Sequence, residues 1–276
     1  MFDQKAKDSG AHRQQSLMAD IIDNALKNKS FYMVYQPQFS VNTGRLIGFE
    51  ALVRCHSEKF GTISPADFIP YTEASGDIVD IGRWIFKQSL MDLDQFHKQG
   101  LSNISMSINL SPAQLAAGDV FETLMMHTLN LGLNPRLIKV ELTETALIHN
   151  AEMAVRTFAA FRNEGIDIWL DDFGTGFASL NLLREFNIDG LKIDKSFVDG
   201  MHLNDNDFTL CSAIIAMAQR LGLEVVAEGV ENDLQMQILS QLGCDSVQGF
   251  LLGKPERFNA CLQRWLKEDS SRLIAL

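Results

Sequence analysis

Apolar positions along this chain follow two rhythms, and their order predicts the fold. Residues 21–26 (IIDNAL) read as one turn and a half of amphipathic helix. Two strand patterns follow, FYMVYQPQF (31–39) and RLIGFEALV (45–53), joined by Asn42-Thr43-Gly44, a turn that makes them antiparallel. Ser64-Pro65 opens a short helix, and a longer one runs from Asp77 to Lys98 with Ile78, Ile81, Ile85 and Phe86 on one face. NISMSIN (103–109) alternates as a strand, and Ser111-Pro112 supplies an N-cap and a first-turn proline. Strand and helix then take turns: LIKVEL (137–142), a helix over 152–164, IDIWL (166–170), a short helix near Leu180, LKI (191–193), a helix over 208–221, EVVAE (224–228), a helix after Asn232 and a short strand at 245–248.

Such alternation implies parallel strands with helices outside them. The count suits a closed (β/α) barrel that opens with an antiparallel hairpin, and 276 residues accommodate one such barrel. An open doubly wound sheet would need a glycine-rich phosphate loop after an early strand, and the sequence has none.

Charged and amide groups recur where the apolar runs end. Glu50 ends IGFE, Asn109 ends ISMSIN, Glu141 lies in IKVEL, Asp171 and Asp172 follow IDIWL, and Glu228 ends VVAE. Isolated charge at the mouth of an apolar strand is costly unless it is compensated, and barrel strands carry catalytic residues at their C-terminal ends. Glu50, Asn109, Glu141, Asp171, Asp172 and Glu228 form an all-oxygen set suited to Mg²⁺ or Mn²⁺ rather than zinc. Paired aspartates let one carboxylate bridge two ions, an arrangement used in phosphodiester cleavage. Against this stands the plainer reading in which each acid caps a helix or joins an ion pair. Lys192, in LKI, suits orienting an attacking water or neutralising phosphate, and equally a counterion to the aspartates. Arg54 suits a bidentate phosphate contact or a surface position. Gly174 and Gly176 form either a lid or a tight strand-to-helix turn, and His56 reads as a loop residue.

Composition narrows the field. A formal net charge of −11 argues against broad binding to a DNA or RNA backbone, but not against a small phosphate-bearing ligand. The four cysteines (Cys55, Cys211, Cys244, Cys261) form no CxxC pair, so neither a zinc cluster nor a disulfide framework is indicated. No apolar run reaches the roughly 20 residues of a membrane span, and the first residues lack a signal-peptide core. A reducing cytoplasm is the expected setting, without direct membrane contact in this segment.

The chain resembles the EAL family of bacterial cyclic di-GMP phosphodiesterases from about Ser16 to Leu266. The naming motif stands as Glu50-Ala51-Leu52, and YQPQ (35–38), FIPYTE (68–73), SINLSP (107–112), ELTET (141–145), DDFGTGFASL (171–180), LKIDKSFV (191–198), AEGVE (227–231) and QGFLLGKP (248–255) follow in family order. The resemblance implies a modified (β/α)8 TIM barrel with one antiparallel strand and hydrolysis of cyclic di-GMP to linear pGpG, with two Mg²⁺ or Mn²⁺ ions. It assigns Glu50, Asn109, Glu141 and Asp171 to the first metal, and Asp171, Asp172 and Glu228 to the second. Lys192 would position the catalytic water, and Glu144 would anchor the glycine loop. Glu231 and Gln248 match further active-site positions; Gln36, Leu52 and Arg54 match substrate contacts. Cys55 stands where the family commonly has tryptophan, and Tyr71-Thr72 where Leu-Ala is usual. The alternative is a catalytically silent cyclic di-GMP receptor working through a protein partner. The resemblance also implies a homodimer. MFDQKAKDSGAHR (1–13) resembles the closing helix of a GGDEF domain, so residues 1–15 are expected to be a linker or a remnant of an upstream GGDEF-like or sensory domain, with 16–276 as the EAL domain.

Overall fold

The computed structural model describes residues 16–149, 151–175, 183 and 186–267. The expected remnant at 1–15, Gly176 and the helix near Leu180 lie outside the described residues. A helix over 16–28 (α1) leads into β1 (Phe31–Ser40) and β2 (Leu46–Ser57). These two pair antiparallel, Tyr35 opposite Ala51 and Gln36 opposite Glu50. Gly44 turns the hairpin at φ 64, a left-handed conformation natural to glycine.

A short β3 (Gly61–Ile63) folds back on the end of β2 and stays outside the ring. It places His56 in a strand, opposite Thr62 and exposed, rather than in the expected loop. Then come α2 (Pro65–Ser75), α3 (Ile78–Lys98), β4 (Ser105–Asn109), α4 (Pro112–Ala117), α5 (Val120–Leu131) and β5 (Ile138–Thr143). After these stand α6 (Glu144–His149), α7 (Ala151–Glu164), β6 (Asp167–Phe173), β7 (Gly190–Ile193), α8 (Lys195–Gly200), α9 (Asp205–Leu221) and β8 (Glu224–Ala227). The described chain ends with α10 (Asp233–Gln241), β9 (Ser246–Val247) and α11 (Phe258–Lys267).

Strands β2, β4, β5, β6, β7, β8 and β9 run parallel in that order, and β1 closes the ring antiparallel to both β9 and β2. The chain therefore folds as an eight-stranded barrel with one antiparallel strand, as expected. Among the described residues no helix is long and apolar enough to cross a membrane.

Alternate positions on each strand face opposite ways, and this barrel separates them by chemistry. Outward positions such as Phe49, Met106, Ile108, Val140, Leu142, Ile168, Leu191 and Val225 are fully buried under the helices. Inward positions are largely polar: Gln38, Glu50, Ser105, Ser107, Lys139, Glu141, Lys192 and Gln248 are all buried. The apolar layer is thus the cylinder between strands and helices, and the lumen is a polar shaft.

Trp169 plugs that shaft below the charged layer, with the Lys139 ammonium 4.1 Å from its ring centre. Gly190, opposite Trp169 on β7, has no side chain because the indole occupies its space: a Cβ there would lie 2.7 Å from the ring. The sequence pattern assigns no element to α5, whose stripe is blurred by exposed Met126 and Leu129. It also misses β3, α6, α8 and α11.

Overpacking of this kind costs about 1–3 kcal/mol, so Gly190→Ala is expected to lower the urea unfolding free energy by that amount. Pairing it with Trp169→Leu should recover part of the loss in a double-mutant cycle; simple additivity of the two changes would rule out the contact.

Candidate active site

Strand stagger gathers the polar residues at one end of the barrel. Asn109 lies opposite Glu141 in the ladder, while Glu50 lies opposite Ser107 and Glu141 opposite Trp169. Each second step around the ring therefore rises by two residues, and Glu50, Asn109, Glu141, Asp171 and Lys192 come to one level from five strands, joined by Glu228 just past the end of β8. Asp171 and Asp172 do not follow their strand, as the pattern suggests; β6 runs on through both to Phe173. The ladder with β7 slips between Leu170 and Phe173, and Asp172 takes φ 53. A positive φ is uncommon for a non-glycine residue and marks local backbone strain. Here it turns consecutive carboxylates toward a common space.

At the centre is the Lys192 ammonium, 1 % exposed. Its Nζ lies 2.8 Å from Glu141, 2.8 Å from Glu228, 3.0 Å from Asp171 and 3.4 Å from Glu50. Four carboxylates thus surround one cation, with Asp172 as a fifth acid beside them. Two like charges about 4 Å apart repel by about 4 kcal/mol at an effective dielectric of about 20. Several such pairs rival the entire net stability of a domain, about 5–15 kcal/mol.

The acids respond accordingly. Burial, then the negative charges of Glu50 and Asp171, lift Glu141 to about 7 against the pull of Lys192. Burial lifts Glu228 to about 8, again with Glu50 and Asp171 adding to it. Asp172 rises to about 6 through burial, Asp171 and Asp194. Burial also acts on Glu50, but Lys192 and hydrogen bonds from Gln248 and Asn109 outweigh it and hold Glu50 below the ordinary range. Lys192 is desolvated, yet its carboxylate neighbours keep its proton well above the usual lysine value.

This excess of oxygen ligands fits hard divalent cations. One oxygen each from Asp171, Asp172 and Glu228 lie within 4.8 Å of one another. Asn109 donates its amide to Glu50 at 2.8 Å, which leaves its carbonyl oxygen as the available donor.

Two cavities flank the cluster. The larger, about 370 Å³, includes Leu52, Arg54, Ile69, Glu73, Asn109 and Asp172 in its lining. Arg54 is partly buried there and bonded to the Val53 carbonyl at 2.9 Å, so it is a wall of the cleft rather than a free surface group. The smaller, about 180 Å³, joins Gln36, Glu228, Glu231 and Gln248. Gln248 donates to Glu50 at 2.6 Å and to Gln36 at 3.1 Å, linking positions expected to contact substrate to one expected to hold a metal.

Glu144, buried where β5 meets α6, accepts the Gly174 N–H at 3.1 Å, so it does hold the start of the glycine loop. Glu231 is exposed and paired with Lys195 at 2.5 Å. Neither Lys195 nor Gln38, which donates to Gln248 at 3.0 Å, is among the expected site residues. Gln38 carries a readable signal, since it is two positions from Gln36 on a strand. Lys195 carries none, because only the packing of α8 brings it to Glu231.

A carboxyl group whose pKa is higher folded than unfolded stabilises the fold at low pH, and that contribution is lost as pH rises to the folded value. For Asp172, Glu141 and Glu228 the loss spans roughly pH 4 to 8. The melting temperature in excess chelator is therefore expected to fall from pH 5 to pH 8, and added divalent cation should remove most of that fall. A flat profile in chelator would show that the cluster is not charge-frustrated.

The EAL domain family profile matches residues 19–255. Signaling protein YkoW of Bacillus subtilis is 39% identical over 236 residues, covering 85% of this chain and 29% of the relative. Cyclic di-GMP phosphodiesterase PdeR of Escherichia coli is 39% identical over 248 residues, covering 90% of this chain and 37% of the relative. The chain thus spans about a third of the length of the curated relatives it matches. Among solved structures, the PaMucR phosphodiesterase in complex with c-di-GMP superposes with a TM-score of 0.84 at 32% identity, covering 89% of this chain and 99% of that one. With strand order, acidic barrel mouth and motif series in agreement, the chain belongs to the EAL domain family.

Proposed function

We propose that this chain is a metal-dependent phosphodiesterase that hydrolyses cyclic di-GMP to linear pGpG. The observation that carries the reading is the buried excess of carboxylates around Lys192, opening on a cleft that also holds Arg54. PdeR, a relative over most of the chain, is named a cyclic di-GMP phosphodiesterase, and the PaMucR structure is described as a c-di-GMP complex. Glu50, Asn109, Glu141 and Asp171 would hold one Mg²⁺ or Mn²⁺, and Asp171, Asp172 and Glu228 a second. When bound, such ions supply Lewis acidity and a nucleophile at neutral pH.

The chain's own groups do the rest. Lys192 keeps its proton and presents N–H donors that orient the attacking water and neutralise charge on the phosphate. Water adds its hydroxyl to phosphorus, the bond to the 3′ oxygen breaks, and that oxygen takes the proton. Arg54 holds a non-bridging phosphate oxygen, Leu52 gives an apolar wall, and Gln36 and Gln248 contact the substrate. Glu231 acts at the rim, where Lys195 holds it, and Glu144 fixes the glycine loop against the adjacent aspartates. A silent receptor usually lacks a metal or loop residue, and every proposed metal-ligand position here keeps its oxygen group.

The family resemblance supports a homodimer as the working unit and an upstream GGDEF or sensory domain. The buried, unpaired cysteines suit a reducing cytoplasm.

Incubation with cyclic di-GMP is expected to yield pGpG with Mg²⁺ or Mn²⁺ and none in excess chelator, followed by chromatography; full activity in chelator would overturn the metal-dependent reading. Glu50→Gln should cut turnover sharply in a folded protein. Lys192→Ala should lower kcat at least about 100-fold, the scale of losing one preorganised donor, while substrate still binds. Recovery to near wild-type rate at saturating Mg²⁺ would make Lys192 a counterion only.

A further inference from the structure

Three buried polar atoms in the barrel lumen have no hydrogen-bond partner among the described residues: Gln38 Oε1, Ser107 Oγ and Trp169 Nε1. Their residues are at most 1% exposed. The stagger that levels the charged groups also levels these three. Ser107 lies opposite Glu50 and Lys139, Trp169 opposite Glu141 and Gly190, and Gln38 opposite Gly48. Val226 lies opposite Lys192 and Ser246. Two strand steps raise the ladder by two residues, so Gln38, Ser107, Trp169 and Val226 form one inward-facing layer. That layer stands directly beneath Glu50, Glu141, Lys192 and Gln248. Deeper in the lumen the serines are satisfied: Ser246 donates to the Val225 carbonyl and Ser105 to the Ile47 carbonyl, each at 3.2 Å. The unpaired lumen atoms thus fall on a single level.

Their chemistry specifies what would satisfy them. The indole N–H only donates, the glutamine oxygen only accepts, and the serine hydroxyl does either. A cation cannot take the indole proton, and an anion cannot donate to the glutamine oxygen. A small neutral molecule that does both is water, which when buried typically makes about three hydrogen bonds to otherwise unpaired groups. Val226 closes the fourth side without a competing polar atom.

Such a water would also set the direction of an amide relay. Gln38 donates its amide to the Gln248 oxygen at 3.0 Å, and Gln248 donates to Glu50 at 2.6 Å. If the Gln38 amide turned over, its oxygen would face the Gln248 oxygen. Gln248 would then have to turn as well, setting its own oxygen against the Glu50 carboxylate. A hydrogen bond donated to Gln38 Oε1 locks the order in which Glu50 receives a donor.

We propose that Ser107, Trp169 and Gln38 bind one internal water beneath the charged layer, and that this water orients the Gln38–Gln248 relay on Glu50. Ser107 and Trp169 are then positioning residues, acting on Glu50 only through the water. The link to metal binding rests on the proposed function, in which Glu50 is a metal ligand.

The test has two arms, neither of which uses activity. In a crystal structure of the metal-free protein that resolves ordered solvent, one water is expected within hydrogen-bond distance of all three atoms. Its absence would overturn the proposal. The second arm titrates Mn²⁺ alone by calorimetry. Ser107→Ala is expected to raise the Mn²⁺ Kd about 3- to 10-fold, less than the roughly 10- to 100-fold typical of a metal ligand's immediate partners, because the effect passes through a water and two amides. Ser107→Thr, which keeps the hydroxyl, should bind Mn²⁺ nearly as the wild type does. An unchanged Kd in Ser107→Ala would reduce the water to filling and overturn its orienting role. An equal loss in Ser107→Thr would assign the effect to packing and overturn it likewise. Failure of the wild type to bind Mn²⁺ would overturn the metal-dependent reading instead, while the crystal structure still decides whether the water is there.

Discussion

A single ammonium group enclosed by acids sets the terms for this molecule. Lys192 is out of reach of bulk water and touches four carboxylates, three on different strands and one, Glu228, just past the end of β8. Such a charge is tolerable only when paired, and removing the partner of a buried pair generally costs several kcal/mol. The pairing is lopsided, because one positive charge faces several negative ones. Part of the imbalance appears as raised carboxyl pKa values; divalent cations are the natural remedy for the remainder. Structure and chemistry meet here: the arrangement that strains the barrel mouth also makes it a strong receptor for hard ions.

The rest of the barrel serves that mouth. Outward strand positions form an apolar seal with the helices, so the lumen can be polar without destabilising the fold. Trp169 closes the shaft from below, using the space that Gly190 vacates. Gln38, Gln248 and Glu50 form a buried hydrogen-bonded line from β1 to β2 through the end of β9. That line crosses the antiparallel seam where the barrel closes. The seam therefore does two jobs: it completes the ring, and it joins amide groups expected at the substrate to a carboxylate expected at the metal.

The loops above the strands are organised as firmly as the strands. Asn232 and Gln235 form a reciprocal cap at the start of α10, and Gln235 also accepts the Glu231 N–H at 2.7 Å. Its amide reaches the Val198 carbonyl of α8 at 3.2 Å. One buried glutamine thus couples the Glu228–Glu231 loop to the helix that carries Lys195. Glu144 plays the matching part on the other side of the mouth, where its carboxylate holds Gly174 beside the paired aspartates.

Much of this was legible in the linear chain. Strand and helix rhythms, the Asn42-Thr43-Gly44 turn and the Ser111-Pro112 cap specify local geometry through short-range sterics and hydrogen bonds, so they survive reading one residue at a time. Acids at the ends of apolar runs pointed to the acidic cluster, since each position is unfavourable alone. Other features depended on residues distant in sequence. Residue spacing cannot say that β1 pairs with both β2 and β9, or that β6 continues through Asp172 with a left-handed turn of the backbone. Nor can it say that Lys195 meets Glu231. Those facts arise from barrel closure and stagger, which set heights and neighbours only when all eight strands are present. The sequence by itself determined which charged groups would stand at the strand ends; the tertiary structure decided their distances, and with them the charge imbalance at the barrel mouth.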